Sequence, residues 1–161
     1  MARKSRFDKA LETFHLLDAP GHLLRRNHQR SYEIFTRFVG DDITRQQVAL
    51  LIALAQKPGA SQNVLVGETG FDKSTLKEML GRMVERGWVE RARDPSDNRA
   101  WTLHISAEGR ALLAERFDDI VAAQSEILAP LPDELKPVFI RCLRILLGLE
   151  AAPAARRTAA A

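Results

Sequence analysis

The sequence predicts a mainly α-helical protein that carries one two-stranded β-hairpin. Apolar residues recur at intervals of three and four along most of its 161 residues, which is the period of a helix packed on one face. The period changes to two only over residues 88–105, which indicates a pair of short strands. A single cysteine excludes an internal disulfide framework, and 45% hydrophobic residues suffice for an ordinary buried core.

Four amphipathic segments precede the middle of the chain. Turn-forming residues, such as the Pro-Gly pair at 20–21 and Gly40, separate them. Ser61 is placed to cap the fourth helix, and Gly70 follows its last residue. The helices predicted in this part cover residues 5–17, 22–39, 44–56 and 62–69.

A fifth helix and the hairpin come next. Asp72 is the expected N-cap of the helix, which runs to about Arg86 and ends before Gly87. Residues 88–93 and 100–105 then alternate as strands do, and the turn-forming residues between them predict a hairpin. The stripe of the fifth helix that is expected to face the core consists of Leu76, Met79, Leu80 and Met83.

Two longer helices are predicted over residues 106–128 and 133–149, followed by a frayed, alanine-rich tail at 150–161. Both helices are apolar over a wide arc, and a chain of this size has little left to cover them. A partner subunit is therefore expected, and the alternative is that these faces pack into the chain's own core. Cys142 lies on the apolar stripe, where we predict a buried and inert thiol.

The order of elements from residue 62 to residue 105 is that of a winged helix-turn-helix. A helix that enters the major groove buries one face and presents polar groups from the other, with its first turns nearest the bases. At the wing tip, Arg99 suits a narrow minor groove, and Asp97 can orient its guanidinium. The alternative is a solvated helix face and an ordinary Asp-rich turn. The predicted DNA-binding residues are Lys73, Ser74, Thr75, Lys77, Arg82, Asp97 and Arg99.

Other classes of function find little support in the residues. There is no glycine-rich phosphate loop, no supported nucleophile and base, and no ligand spacing among Cys142 and the four histidines. We therefore expect neither an enzyme nor a metal or cofactor site. No apolar run approaches a membrane span and no apolar signal core follows the N-terminus, so a cytoplasmic protein without membrane contact is expected. An adaptor without specific DNA binding is the remaining alternative.

Residues 70–91, 94–99 and 103–109 resemble the MarR family of transcription regulators. The similarity lies in the recognition helix, in the Arg-Gly-Trp-Val sequence that leads into the wing, in the Asp-Pro-x-Asp-x-Arg wing tip and in the segment after the wing, which ends at Gly109. It covers about residues 20–148 in element order. Ser96 and Asn98 depart from the family, many of whose members have arginine there, and the helix at 5–17 extends beyond the usual start.

The resemblance implies one MarR-like domain that forms a homodimer on a pseudo-palindromic operator in double-stranded DNA. Residues 5–39 and 106–149 would supply the dimerisation helices, and residues 44–105 would form the DNA-binding lobe. Most members repress transcription and release DNA when a small, often aromatic, molecule binds. The N-terminal half also resembles regulators of hydroxycinnamate and benzoate catabolism that sense CoA thioesters.

An effector site is implied between the dimer helices and the DNA-binding lobe. The predicted helix 22–39 carries an unusual number of cations for a dimerisation helix, which favours an anionic effector, either an aromatic acid or its acyl-CoA thioester. These cations are Arg25, Arg26, Arg30 and Arg37. The alternatives are a solvated helix face, further phosphate contacts, or a regulator of stress or efflux genes that responds to a different phenolic. The candidate ligand-binding residues are Arg25, Arg26, His28, Tyr32 and Phe35.

Overall fold

A computed structural model describes residues 5–93 and 101–152, and it confirms the mainly helical fold with a two-stranded antiparallel sheet. The chain forms two compact units, Met1–Gln124 and Ser125–Ala161. The elements of the described part are α1 (Arg6–Thr13), α2 (Pro20–Val39), α3 (Arg45–Gln56), α4 (Gln62–Thr69), α5 (Lys73–Glu85), β1 (Val89–Arg93), β2 (Trp101–Ile105), α6 (Ala107–Leu128) and α7 (Leu135–Leu146).

The helix ends of the DNA-binding lobe follow their capping residues. Thr44 and Gln47 form a capping box at the start of α3, in which each side chain accepts from the other's backbone N–H. Ser61 accepts from the backbone of Val64 at the start of α4, and Gly70 ends that helix with a φ of 70°. A positive φ is a conformation that glycine adopts without a steric penalty. These caps confirm the predicted boundaries of α4 to the residue.

The first helix is shorter than predicted. It ends at Thr13, whose hydroxyl donates to the carbonyl of Ala10 at 3.0 Å, and Phe14 is already extended. A separate 3₁₀ helix, Leu16–Asp18, follows. The apolar stripe continues through residue 17 in sequence, so the period alone carried the predicted helix too far. No residue of either helix is buried in the single chain.

The first unit has its core within the DNA-binding lobe. Leu50, Leu51 and Leu54 of α3 have no exposed surface, and they belong to one cluster with residues of α2, α4, α5 and both strands. Burial of such side chains contributes about 1.5–3 kcal/mol each. The predicted inward stripe of α5 is confirmed, since Leu76, Met79, Leu80 and Met83 are at most 5% exposed.

The hairpin is held at its base. Val89 pairs with Ile105 at the start of the ladder, and Leu103 exchanges two backbone hydrogen bonds with Gly59 and Ala60, at 3.0 and 3.1 Å. Those two residues lie in the α3–α4 connection, so β2 is bonded on both of its edges. The turn predicted at residues 94–99 lies outside the described residues, as does residue 100, the predicted start of the second strand.

In the second unit, α7 has no buried residue, and Leu146 and Leu147 are each more than 70% exposed. Cys142 is exposed as well. The prediction of a buried thiol is therefore wrong for the single chain, because Cys142 lies on a helix none of whose residues is buried. The predicted tail lies mostly at residues 153–161, outside the described part.

The described residues contain neither a candidate membrane span nor a cluster of potential metal ligands. Within residues 5–93 and 101–152, none of the helices combines the length and apolar character that a membrane span requires. The same residues hold no group of three or more His, Cys, Asp or Glu side chains that could bind a metal ion.

Candidate nucleic-acid interface

Helix α5 has one apolar face in the core and one polar face in solvent. Lys73 and Lys77 are exposed, and neither has a carboxylate within ion-pair distance among the described residues. Arg82 is exposed one turn further on, and its nearest acid is Glu78, at 3.5 Å. An exposed pair of this kind contributes little to stability. The helix therefore presents three cations that can turn to an anionic partner at small cost.

Asp72 organises the first turn of α5. Its carboxylate accepts from the backbone N–H of Thr75 at 2.9 Å, from the Ser74 hydroxyl at 2.5 Å and from the Thr75 hydroxyl at 2.7 Å. Hydrogen bonds to the charged form, that from Ser74 first, hold the pKa of Asp72 well below its usual range. The cap is thus a charged carboxylate at the positive end of the helix.

This cap restricts what Ser74 and Thr75 can do at DNA. Each hydroxyl has one proton, and in both residues that proton is directed to Asp72. Their oxygens then remain available only as acceptors, which suits a base amino group and does not suit a phosphate. That these two residues contact DNA stays a prediction, now limited to an accepting role.

We expect Asp72→Ala to destabilise the protein at neutral pH and to destabilise it less at pH 3. A carboxylate whose pKa is lowered on folding stabilises the folded state fully above its unfolded pKa of about 3.9. This contribution decreases as the pH falls below that value and is lost only below the folded pKa. Thermal unfolding at pH 7 and pH 3 measures the difference. Asp72→Asn is the control, since it keeps an accepting oxygen without the charge. Equal losses of stability at both pH values for Asp72→Ala would contradict the charged cap.

The wing contributes basic and aromatic groups that the sequence analysis missed. The guanidinium of Arg93 lies over the ring of Trp101, 4.1 Å from its centroid, and the two residues are partners in the ladder. Arg91 and Trp101 line a cavity of about 340 Å³ together with the first turn of α4. The sequence did contain a signal for these residues, because side chains alternate along a strand and Arg91 and Arg93 therefore lie on the same face of β1. The predicted wing-tip residues Asp97 and Arg99 lie outside the described residues.

The five candidate ligand residues on α2 do not form one group. Arg25 and Arg26 are exposed on the first half of the helix. Phe35 is 4% exposed and belongs to the hydrophobic core, where it packs against apolar residues. Its contact with a ligand stays a prediction. Its position on the apolar stripe of α2 was the signal for a core residue.

His28 and Tyr32 instead meet Arg45, the first residue of α3. The Arg45 guanidinium lies over the Tyr32 ring, 5.2 Å from its centroid, and its Nη2 is 3.4 Å from His28 Nε2. Its Nη1 donates to the hydroxyl of Ser31 at 2.7 Å. Arg45 and Ser31 were not among the predicted site residues, since the contact joins two helices and no local sequence pattern indicates it.

The chain is similar in sequence to known transcriptional regulators. Residues 41–100, from the α2–α3 connection into the wing, match the model of the MarR family. The transcriptional regulator HosA of Escherichia coli O111:H- is 36% identical to this chain over 107 residues, which are 66% of this chain and 79% of HosA.

Two solved structures extend the comparison to the whole fold. The PcaV transcriptional regulator of Streptomyces coelicolor, solved in complex with its natural ligand, has a TM-score of 0.80 and 32% identity, over 84% of this chain and 96% of PcaV. BpsR of Bordetella bronchiseptica, whose DNA binding is regulated by 6-hydroxynicotinic acid, has a TM-score of 0.79 and 26% identity, over 83% of this chain and 96% of BpsR.

Proposed function

Because this chain belongs to the MarR family of ligand-responsive transcriptional regulators, we propose that it represses genes for the catabolism of aromatic compounds and releases its operator when a small aromatic anion binds. The proposal of DNA binding rests on α5, which buries an apolar face and leaves Lys73, Lys77 and Arg82 exposed. That division of faces is what a helix needs in the major groove.

The comparison with BpsR supports an aromatic effector, because 6-hydroxynicotinic acid, a ring with one carboxylate, regulates the DNA binding of that protein. The basic surface of α2, with Arg25 and Arg26 exposed, is compatible with an anion of this type. The other candidate effector is a CoA thioester, whose phosphates these two arginines would bind. A regulator of stress or efflux genes that senses another phenolic is the alternative function.

A homodimer is part of the proposal, with interface residues from 5–39 and 106–149. Each unit of the chain leaves large apolar side chains exposed, more than single scattered positions would explain. A symmetric partner would cover these surfaces and place two α5 helices about 34 Å apart, one turn of DNA. The most exposed of these side chains are Phe7, Leu11, Phe14 and Leu17 in the first unit and Leu146, Leu147 and Leu149 in the second.

A gel shift with the protein's own upstream region tests the function. The wild type is expected to bind one duplex with an affinity that falls steeply with salt, since phosphate contacts dominate binding. Arg99→Ala is expected to weaken this binding by about 10-fold or more, because it removes the one guanidinium at the predicted wing tip.

As a control, light scattering must give Arg99→Ala the same mass as the wild-type dimer, so that a loss of DNA binding is not a loss of dimerisation. Arg30→Ala serves as a matched loss of one charge on α2, outside the lobe, and should bind DNA as the wild type does. If the wild-type protein binds no duplex from its own chromosomal surroundings at low salt, the repressor function is excluded. The alternative of an adaptor without specific DNA binding would then remain.

A further inference from the structure

The two oxygens of the Asp72 carboxylate hold different groups at the start of α5. Oδ1 accepts from the backbone N–H of Thr75 at 2.9 Å and from the Ser74 hydroxyl at 2.5 Å. Oδ2 accepts from the Thr75 hydroxyl at 2.7 Å. One oxygen therefore caps the helix and binds Ser74, while the other binds the side chain of Thr75.

The charge of Asp72 fixes the direction of these hydrogen bonds. The bonds themselves, that from Ser74 first, keep the pKa of this carboxyl well below its usual range, so it is ionised at neutral pH. An ionised carboxylate has no proton to donate, and each hydroxyl has only one. Ser74 and Thr75 both donate that proton to Asp72, and each oxygen can only accept from a further partner.

Both hydroxyl groups lie where a recognition helix meets base edges. Ser74 and Thr75 are exposed in the first turn of α5, and the first turns of such a helix lie nearest the bases. At about 3.6 residues per turn, Ser74 lies on the side of the helix opposite the buried Leu80. Lys73 and Lys77 are exposed nearby and can hold the helix against phosphates.

An oxygen that only accepts distinguishes two classes of base in the major groove. Adenine N6 and cytosine N4 carry amino groups that donate, whereas guanine and thymine present keto oxygens that accept. The hydroxyl oxygen gains a hydrogen bond from an amino base and meets a second acceptor at a keto base. A phosphate offers no donor either, so an accepting hydroxyl is a reader of bases.

We propose that Asp72 determines base specificity by making Ser74 and Thr75 select adenine or cytosine over guanine or thymine at the operator positions that they contact. Asp72 is a positioning residue, since it acts through the two hydroxyl groups. The inference deepens the proposed function and rests on its DNA-binding part.

The variant Asp72→Asn separates the two hydroxyl groups. An asparagine whose oxygen takes the place of Oδ1 keeps the bonds to the Thr75 backbone and to Ser74, and asparagine is as good an N-cap as aspartate. Its amide nitrogen then takes the place of Oδ2 and donates to the Thr75 hydroxyl oxygen. The Thr75 proton is released to donate to a base, while Ser74 remains an acceptor.

Gel shifts with a set of operator duplexes test this inference. In each duplex one base pair is changed from A·T to G·C or the reverse, which exchanges an amino group for a keto oxygen on each strand. The wild type is expected to bind about 5- to 20-fold more weakly when a contacted adenine or cytosine becomes guanine or thymine. Ser74→Ala and Thr75→Val should each lose this discrimination at one position of a half-site, which assigns that position to the residue.

Asp72→Asn is then expected to keep the preference at the Ser74 position and to lose or reverse it at the Thr75 position. A general loss of helix stability would instead weaken binding to every duplex by the same factor. Thr13→Val removes a hydroxyl from exposed α1 and is the matched control, which should keep all preferences of the wild type. Thermal unfolding establishes that each variant is folded at the assay temperature.

The outcomes separate this inference from the proposed function. Discrimination that is unchanged at every position in Ser74→Ala and Thr75→Val overturns the inference and leaves DNA binding intact. A position assigned to either residue that prefers guanine or thymine overturns it as well, because the hydroxyl would then donate. An unaltered preference of Asp72→Asn at the Thr75 position would refute the role of Asp72. Wild type that binds no duplex excludes both the inference and the proposed DNA binding.

Discussion

Gly109→Ala is expected to lower the free energy of unfolding by about 2–4 kcal/mol, because an added Cβ meets a closer neighbour at this position than at any other glycine of the chain. A Cβ at position 109 would lie 2.2 Å from the carbonyl oxygen of Trp88 and 3.0 Å from its carbonyl carbon. Both atoms belong to the backbone, so no rotation of a side chain relieves the contact. The start of α6 would have to move away from the start of β1.

The same movement would break the hydrogen bonds that join the wing to α6. The buried Ser106 donates from its hydroxyl to the Gly87 carbonyl at 2.5 Å and accepts from the Gly109 N–H at 2.9 Å. Its own N–H donates to the Trp88 carbonyl at 3.1 Å. Separating these groups leaves buried polar atoms unpaired, which adds to the cost of the contact.

Gly67→Ala is the matched control for this variant. Gly67 is exposed on α4, and a Cβ there meets nothing within 4 Å. The substitution should stabilise the protein by about 1 kcal/mol, because alanine favours a helix more than glycine does. Thermal unfolding at fixed protein concentration compares the two variants, with about 2–4 °C expected per kcal/mol. Equal Tm values for Gly109→Ala and wild type would mean that α6 and β1 do not approach as described.

Lys77→Ala is expected to cost about 1–3 kcal/mol of operator binding, or roughly a 5- to 150-fold rise in Kd, with relaxed specificity at one base pair. Lys77 is exposed on the second turn of α5, with no carboxylate partner among the described residues, and its ammonium is free to donate to base acceptors. The fold should be unaffected, because the residue lies opposite the buried stripe.

A set of operator duplexes, each altered at one base pair, distinguishes the two roles that Lys77 can have. If it contacts a base, one altered duplex binds Lys77→Ala as well as the native duplex does. If it contacts a phosphate, the variant binds every duplex more weakly by the same factor, and the slope of log affinity against log salt concentration decreases by about one. Lys9→Ala, on exposed α1, removes one positive charge outside the lobe and should bind as wild type. Unchanged binding by Lys77→Ala would remove this residue from the interface.

The helices and the wing were largely predictable because their signals are local. Ser61, Asp72 and Gly70 sit at helix ends where their side chains or backbone satisfy free polar groups, and the structure places each one there. The switch from period 3.6 to period 2 marked the hairpin. Local signals failed at Phe14, where the apolar stripe runs on although the helix has ended.

The site was predictable only in part, for a different reason. His28 and Tyr32 were predicted from their residue types alone. The group that both contact is Arg45, which is 17 residues from His28 and lies on another helix. Phe35 had the same aromatic character and is in the core. Residue type and helical phase do not say which helix will pack against which.

The amino-acid sequence by itself determined the mainly helical class, the order of the elements, the polar face of α5 and the family resemblance, since each depends on residues a few positions apart. Only the tertiary structure decided that the Arg45 guanidinium lies over the Tyr32 ring, that Ser74 and Thr75 donate their hydroxyl protons to Asp72, and that Gly109 leaves no room for a side chain. Those facts depend on which atoms of distant segments come within bonding distance, and packing of the whole chain sets that distance.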